Sequence, residues 1–243
     1  MKNPLFTPPE ASLLWLEAHR VVAGSFNHVI QGPPGEEVLL QALAALPQGP
    51  SRWVVDDLWC PSILIRDIPE LPKGAEAQEA FFRWRFSQIL SLEEPHFVQA
   101  LEVESGLWLT AGIRQDFRDE LLQLALRTDH SLHALTPRWL HLYNLLAPSL
   151  TMPGMLLSLS PTEPGHYAGT LVAWGRTLCL LRQWSEPLSP EGWLEERIAP
   201  SAAFLQRESR KPQQLYIWGA TAWPHADLPV RFLDDRTVLG EMR

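Results

Sequence analysis

Leu156–Trp184 reads LLSLSPTEPGHYAGTLVAWGRTLCLLRQW. Three apolar runs, LLSLS, GTLVAWG and TLCLLRQW, are separated by PTEPGHYA and by the short link at Arg176, where glycine and proline favour turns. The stretch predicts a three-stranded meander. The first turn of such a meander is a place where phosphate-binding proteins hold a nucleotide, which makes Ser160, Gly165 and Gly169 the first candidate site residues.

Outward from the meander, EGWLEERIAPSAAFLQRESR predicts a helix kinked at Pro200, because proline removes a backbone donor and crowds the preceding turn. QQLYIWG and LPVRFL follow as strands. This half is therefore β-β-β-α-β with a final short strand. On its other side, LAPSLTMPG is punctuated by proline and glycine and marks the expected lobe boundary, dividing the chain at 1–149 and 150–243.

In the first lobe, LLWLEAHRVVAGSFNHVI predicts two strands joined near Glu17 to Arg20. QGPPGEE starts a helix, EEVLLQALAAL, which Pro47 and Gly49 close. SRWVVDDLWC and SILIRDI read as a hairpin. A helix AEAQEAFFRWRFSQIL carries Ala77, Phe81 and Trp84 on one stripe and Phe82, Phe86 and Ile89 on another, which predicts packing on two sides. A hairpin turns about Ser105 and Gly106, Asp116 is expected to cap the next helix, and a further helix runs from Pro137 to about Leu146. The stretch from about 72 to 135 forms a small helix, hairpin, helix module.

Composition narrows the function. The 243 residues are 46% hydrophobic and 20% charged, as in a folded chain that can bury one large core or two smaller ones. A net charge of −8, with no Lys/Arg run longer than two, opposes nucleic-acid binding. Cys60 and Cys179 lie in apolar segments, which points to buried thiols in a reducing compartment. The N-terminus lacks an apolar signal region, and no run is long enough to span a membrane.

Among eight histidines, His130, His133 and His141 lie closest in sequence, but no cysteine or carboxylate run completes a metal ligand set, so no metal is expected. Asp56 and Asp57, if on a strand, point to opposite faces and cannot form one acid/base pair. No G-x-S-x-G elbow is present, and no catalytic residue is assigned. Arg83 and Arg85 flank Trp84 in FFRWRF. They read either as snorkelling arginines around a core tryptophan or as an exposed partner-binding face.

The order IPELP, FFRWRFSQILSLEEPHF, ALEVESG, LWLTAGIRQ and HSLHALTP, followed by LLSLS, GTLVAWG, TLCLLRQW and QQLYIWGAT, resembles the PilM-like proteins of type IV pili. It also resembles the cytoplasmic domain of the L-type protein of type II secretion systems. The resemblance implies a two-lobed actin-like ATPase fold of α/β class, with the small module inserted in the first lobe. A nucleotide site on that fold needs Asp and Gly in its hairpin turns, for metal and for backbone approach to phosphate. Here Ser160 stands where Asp belongs, two prolines remove backbone donors and leave only Gly165 and Gly169 in the turn, LLWLEAHRVV offers no glycine, and WGATAW has Gly219 alone. These degenerate turns imply no ATP and no other cofactor.

What the resemblance implies is a non-catalytic cytoplasmic scaffold recruited to the inner face of the inner membrane. Its expected partners are the cytoplasmic tail of a bitopic pilus or secretion protein, the assembly ATPase, and a second copy in a homodimer. Arg83, Trp84 and Arg85 are the expected partner-binding residues, by their position in the module. The alternatives are a nucleotide-binding actin-like ATPase or sugar-kinase-like phosphotransferase, and an interaction module unrelated to secretion.

Overall fold

The computed structural model describes residues 11–66, 68, 70–224, 228–235 and 238, so the N-terminal MKNPLFTPPE and part of IPELP lie outside it. Strand β1 (Ser12–Glu17) is buried from Leu14 onward. It pairs antiparallel with β2 (Arg20–Ala23), which pairs in turn with β3 (Phe26–Val29). Three strands thus stand where two were expected: Gly24, at φ +55°, turns the chain a second time. β3 is a solvated edge strand held by backbone pairing, so it lacks an apolar alternation to read.

Helix α1 (Glu36–Ala44) leads into β4 (Gly49–Val55), which lies parallel to β1. β5 (Ser62–Arg66) does not fold back on β4, contrary to the expected hairpin. Both edges of β4 are taken, and the turn after it sends the chain away: the Asp56 carboxylate accepts from the Leu58 N–H, and the Asp56 carbonyl from Trp59 and Cys60.

Helix α2 (Ala75–Leu90), β6 (His96–Glu104), β7 (Leu107–Arg114) and α3 (Gln115–Arg127) follow, and β5 joins the hairpin to make a three-stranded sheet ordered β5-β7-β6. Phe82 stacks on Trp108 at 4.8 Å and the Phe86 ring lies over Gly112. Leu109 and Ile113, on the face of β7 opposite to Trp108 and Gly112, enter the cores of the main body. The layers therefore run α2, sheet, body. Helix α2 packs on one side only: Phe82 and Phe86 of one stripe are buried, with Ile89 at its end 47% exposed, whereas the stripe of Ala77, Phe81 and Trp84 lies on the outer side, Trp84 56% exposed. Asp116 sits within the first turn of α3 rather than at its cap, where it accepts from Arg114 and the Phe117 N–H and complements the helix dipole.

β8 (His130–Pro137) returns to pair in parallel with β4, completing a sheet ordered β3-β2-β1-β4-β8. After α4 (Arg138–Leu146), β9 (Gly154–Glu163), β10 (His166–Trp174) and β11 (Leu178–Leu188) form the meander. A composite helix follows: α5 (Pro190–Gly192), a π turn over Trp193–Ile198, and α6 (Ala199–Arg207). The π turn lies just before Pro200, where a helical hydrogen bond is missing. β12 (Leu215–Trp218) and β13 (Val230–Phe232) close a second sheet ordered β11-β10-β9-β12-β13. Each five-stranded sheet is thus an antiparallel meander followed by two parallel strands.

Three cores match these layers. Leu14, Leu16, Trp53 and Val55 pack with Leu39, Leu43, Leu121 and Leu124 of α1 and α3 on one face of the first sheet. Met155, Leu157 and Leu159 pack with Trp193, Ile198 and Leu205 on one face of the second. The remaining faces meet around α4, where Trp15, Val54, Trp139, Tyr143, Leu156, Val172, Trp174 and Trp218 share a single core. No helix among the described residues is long and apolar enough to cross a membrane.

Two turn glycines test this packing. Gly165 (φ +77°) has open space where a Cβ would stand, whereas one at Gly219 (φ +90°) would lie 2.2 Å from the Leu159 carbonyl oxygen. Gly165→Ala is expected to lose about 1–2 kcal/mol from left-handed strain alone. Gly219→Ala should lose clearly more, because β12 must shift off β9, and the urea midpoints of the two variants compare the costs directly.

Candidate functional site

At the junction of the two lobes, side chains from β1, the turn after β4 and β9 converge on one guanidinium. Arg138 opens α4 and is 0% exposed. Its Nε donates to Ser158 Oγ at 2.9 Å and its Nη2 to Ser160 Oγ at 2.8 Å, both on β9. Its Nη1 donates to Asp56 Oδ2 at 2.9 Å and to Glu17 Oε1 at 3.3 Å, from the first sheet. Asp57 Oδ2 lies 3.8 Å from Nη2. The planar fork is therefore met by hydroxyls from one lobe and carboxylates from the other.

The carboxylates are held in turn. Glu17 ends β1, where Trp218 Nε1 donates to it at 3.0 Å and Arg20 Nε at 2.5 Å. Asp56 accepts from the Ala18 N–H in the β1–β2 turn and from Ser160 Oγ, so it links the first candidate turn to β9. Asp57 accepts from the Trp139 N–H, while its Oδ2 has no hydrogen-bond partner among the described residues. Burial pushes Asp57 up to about 6, against the pull of Arg138. Arg138 stays cationic: burial opposes its charge, but Asp56, Asp57 and Glu17 outweigh it. Burial lowers His19 beside them.

The rim is stitched as well. Arg20 makes a bidentate pair with Asp235, at 2.8 and 2.9 Å, tying the β1–β2 turn to the segment after β13. Across the opposite side, Gln183 of β11 accepts from the Ser62 N–H and donates to the Asp57 carbonyl, Arg66 donates to the Cys179 carbonyl, and Thr177 donates to Glu104. The three-stranded sheet is thereby bound to the second lobe.

The residues singled out in the sequence are distributed as follows. Ser160 is buried in the Arg138 cluster. Gly165 sits at the exposed tip of the β9–β10 turn, and Gly169 is a buried β10 residue whose missing Cβ lets it approach the Ser158 carbonyl. Gly219 lies against β9. His130 bonds to Thr128, His141 packs on Trp15 with its pKa lowered to about 4 by burial, and His133 is exposed, so these three do not meet. No group of three His, Cys, Asp or Glu side chains placed to hold a metal occurs among the described residues. Cys60 and Cys179 are free and buried.

Arg83, Trp84 and Arg85 are exposed on α2, on the far side of the three-stranded sheet from the body, with Arg83 paired to Glu79 at 2.6 Å. Trp84 is therefore not the core tryptophan of one sequence reading. Asp56 and Asp57 also depart from expectation: they lie beyond the end of β4, in a turn, so strand alternation does not govern them and both face Arg138. Glu17, Asp56, Asp57 and Arg138 each adjoin an apolar run that must be buried, as in LWLE, VVDD and PRWL. Charges so placed need partners, and this was the available signal.

No protein-family model matches the chain, and no curated protein matches it. Among solved structures, the cytoplasmic domain of EpsL, an inner membrane component of the type II secretion system of Vibrio cholerae, is similar over 95% of this chain and 92% of that one. The identity is 13% and the TM-score 0.52. The PilM-PilN type IV pilus biogenesis complex is similar over 87% of this chain and 82% of that one, at 13% identity and a TM-score of 0.58. Both carry the actin-like ATPase fold, and so does this chain.

Removing the guanidinium strands buried carboxylates. Arg138→Met is expected to cost about 3–5 kcal/mol or abolish folding, and Arg138→Lys to recover only part, since an ammonium cannot reproduce the fork; denaturant melts measure both. Asp57 gives a pH test of opposite character. Its raised pKa means that the native state binds its proton more tightly. The associated stability is full below pH about 4 and lost as pH rises through about 6. Asp57→Asn should therefore gain about 2–3 kcal/mol on the wild type between pH 4 and 7, measured as the difference in urea unfolding free energies.

Proposed function

Starting from an actin-like fold whose inter-lobe cleft is filled by its own side chains, we propose that this chain is a non-catalytic scaffold. It serves the inner-membrane assembly platform of a type IV pilus or a type II secretion system from the cytoplasmic side. The observation that carries this reading is the Arg138 cluster. A bound nucleotide there would need phosphate and metal sites between the β1–β2 turn and β9, and that space holds a guanidinium bonded to Glu17, Asp56, Ser158 and Ser160. A polyphosphate brought to Glu17, Asp56 and Asp57 would also meet like charge. The fold's nucleotide machinery is thus converted into an internal joint, and the protein neither binds ATP nor transfers phosphate.

What remains for function is surface. Two neighbours of this fold are an inner-membrane secretion component and a pilus biogenesis complex of two proteins, which supports a role in holding other proteins. The ligands of this scaffold are proteins: the cytoplasmic segment of a bitopic membrane partner and the assembly ATPase. Arg83, Trp84 and Arg85 form one docking face, because a large exposed aromatic flanked by arginines has the composition of an interface centre.

Calorimetry tests both halves of the proposal. Mg-ATP titrated to millimolar concentration is expected to give no saturable heat, while the cytoplasmic segment of a single-span protein encoded beside this chain is expected to bind. Saturable Mg-ATP binding would overturn the pseudo-ATPase reading, and failure of every such segment would overturn the scaffold reading.

A further inference from the structure

In the corner where the end of β5, the β10–β11 turn and the chain after α6 meet, cations from three segments lie together. The Gly175 N–H donates to the Thr177 carbonyl at 3.0 Å, which leaves Arg176 exposed at the tip of the turn. A Cβ at Gly175 would stand 3.8 Å from Arg210 Cγ and Cδ, so the Arg210 stem runs beside that tip, with the exposed Lys211 next in the chain. Arg66, the last residue of β5, reaches the same place and donates to the Cys179 carbonyl. Arg66 and Arg210 both pull the Cys179 thiol down, although burial, the larger effect, holds it above its ordinary value.

What these cations lack is a carboxylate. Exposed arginines elsewhere on the chain have one, as Arg114 has Asp116 and Arg127 has Glu36. Among the described residues, Arg66, Arg176, Arg210 and Lys211 form no ion pair, in a chain with 28 acidic residues against 20 basic ones. Glu104 enters the corner but accepts from Thr177, and Glu208, two residues before Arg210, does not pair with it. The carbonyl that holds Arg66 is neutral, so the guanidinium is fixed in place with its charge uncompensated and most of its five N–H donors open.

We infer that this corner is a docking site for an acidic protein segment, whose neighbouring carboxylates enter between Arg66, Arg176 and Arg210. The inference rests on the reading of this chain as a scaffold for other proteins, and it adds a second surface, distinct from the α2 face. Guanidinium forks match carboxylates in shape as well as charge. An apolar contact lies alongside: Met152, 49% exposed, receives the Trp174 indole N–H on its carbonyl at 2.9 Å, and the next residue, Pro153, accepts from the Gln213 N–H just beyond Lys211. The fitting segment therefore carries adjacent acids followed by an apolar residue that covers Met152.

The shape and charge of the corner favour a peptide over an anionic bilayer. Its arginines converge on one buried residue, Cys179, and are not spread over a flat face. A chain of net charge −8 is repelled as a whole by an anionic surface, whereas a short segment meets only the local field.

Fluorescence anisotropy tests the site, with the full chain titrated into a fluorescein-labelled peptide of three consecutive glutamates followed by leucine. Saturable binding is expected at low salt, weakening as NaCl is raised, and the same peptide with glutamines is expected not to bind. Arg176→Glu and Arg210→Glu should each weaken binding at least about tenfold, and Arg176→Lys less, since it keeps the charge and loses only the fork. No described bond holds the Arg176 side chain, so that variant should keep the wild-type circular dichroism and unfolding midpoint.

No binding of the glutamate peptide, equal binding of the glutamine peptide, or binding indifferent to both reversals would overturn the inference. So would arginine-dependent flotation with phosphatidylglycerol vesicles in place of peptide binding, which would assign the corner to lipid. If the glutamate peptide fails while a membrane partner's segment binds and depends on Trp84, this site falls and the scaffold reading stands. If the peptide binds through Arg176 and Arg210 but every partner segment fails, the site stands and the scaffold reading falls.

Discussion

One buried guanidinium fixes the relation between the lobes. Arg138 gathers the end of β1, the turn after β4, the start of α4 and two residues of β9 within hydrogen-bond distance or close to it. Moving charges out of water is costly, and their mutual attraction repays that cost only where geometry is good and the remaining donors and acceptors are bonded. The cluster meets that condition at Arg138, Glu17 and Asp56, and falls short at Asp57, whose raised pKa records the deficit. Its contribution is therefore one of position more than of net stability. Sliding either lobe would strand a fully buried ion.

The packing around the cluster follows from that constraint. With α4 anchored at Arg138, its Trp139 and Tyr143 fall between the two sheets and join their inner faces in one core. Trp139 also donates to Ser62, while its backbone N–H binds Asp57, so the same turn of helix anchors the first strand of the three-stranded sheet. Gln183 and Arg66 extend that connection to β11. A cleft that opens toward solvent in a ligand-binding protein is here crossed by side-chain bonds on both rims.

The apolar surface is unevenly spread. The body buries its tryptophans Trp15, Trp53, Trp139, Trp174 and Trp193 completely, whereas Trp84 stands out on α2, on the outer face of the three-stranded sheet. The division of labour is consistent: buried aromatics and a buried cation hold the lobes, and an exposed aromatic with flanking charges is available to other chains.

The sequence by itself determined the elements whose signals are local. The meander from Leu156 to Trp184, the helix kinked at Pro200, the hairpin about Gly106 and the helix carrying FFRWRF are legible because period, turn residues and proline act within a few positions. Their order carried the resemblance to the actin-like fold. Tertiary structure alone decided which strands pair and which charges meet. β5 leaves β4 because β1 and β8 take both edges, and nothing in SILIR records that. Trp84 and Phe82 look alike on a helical wheel, and only the presence of a sheet on one side buries Phe82 and exposes Trp84. The Arg138 cluster joins residues as far apart as Glu17 and Ser160, and long-range electrostatic partners leave no periodic trace. The chain could announce that its buried ends were charged, but only folding could bring them to one cation.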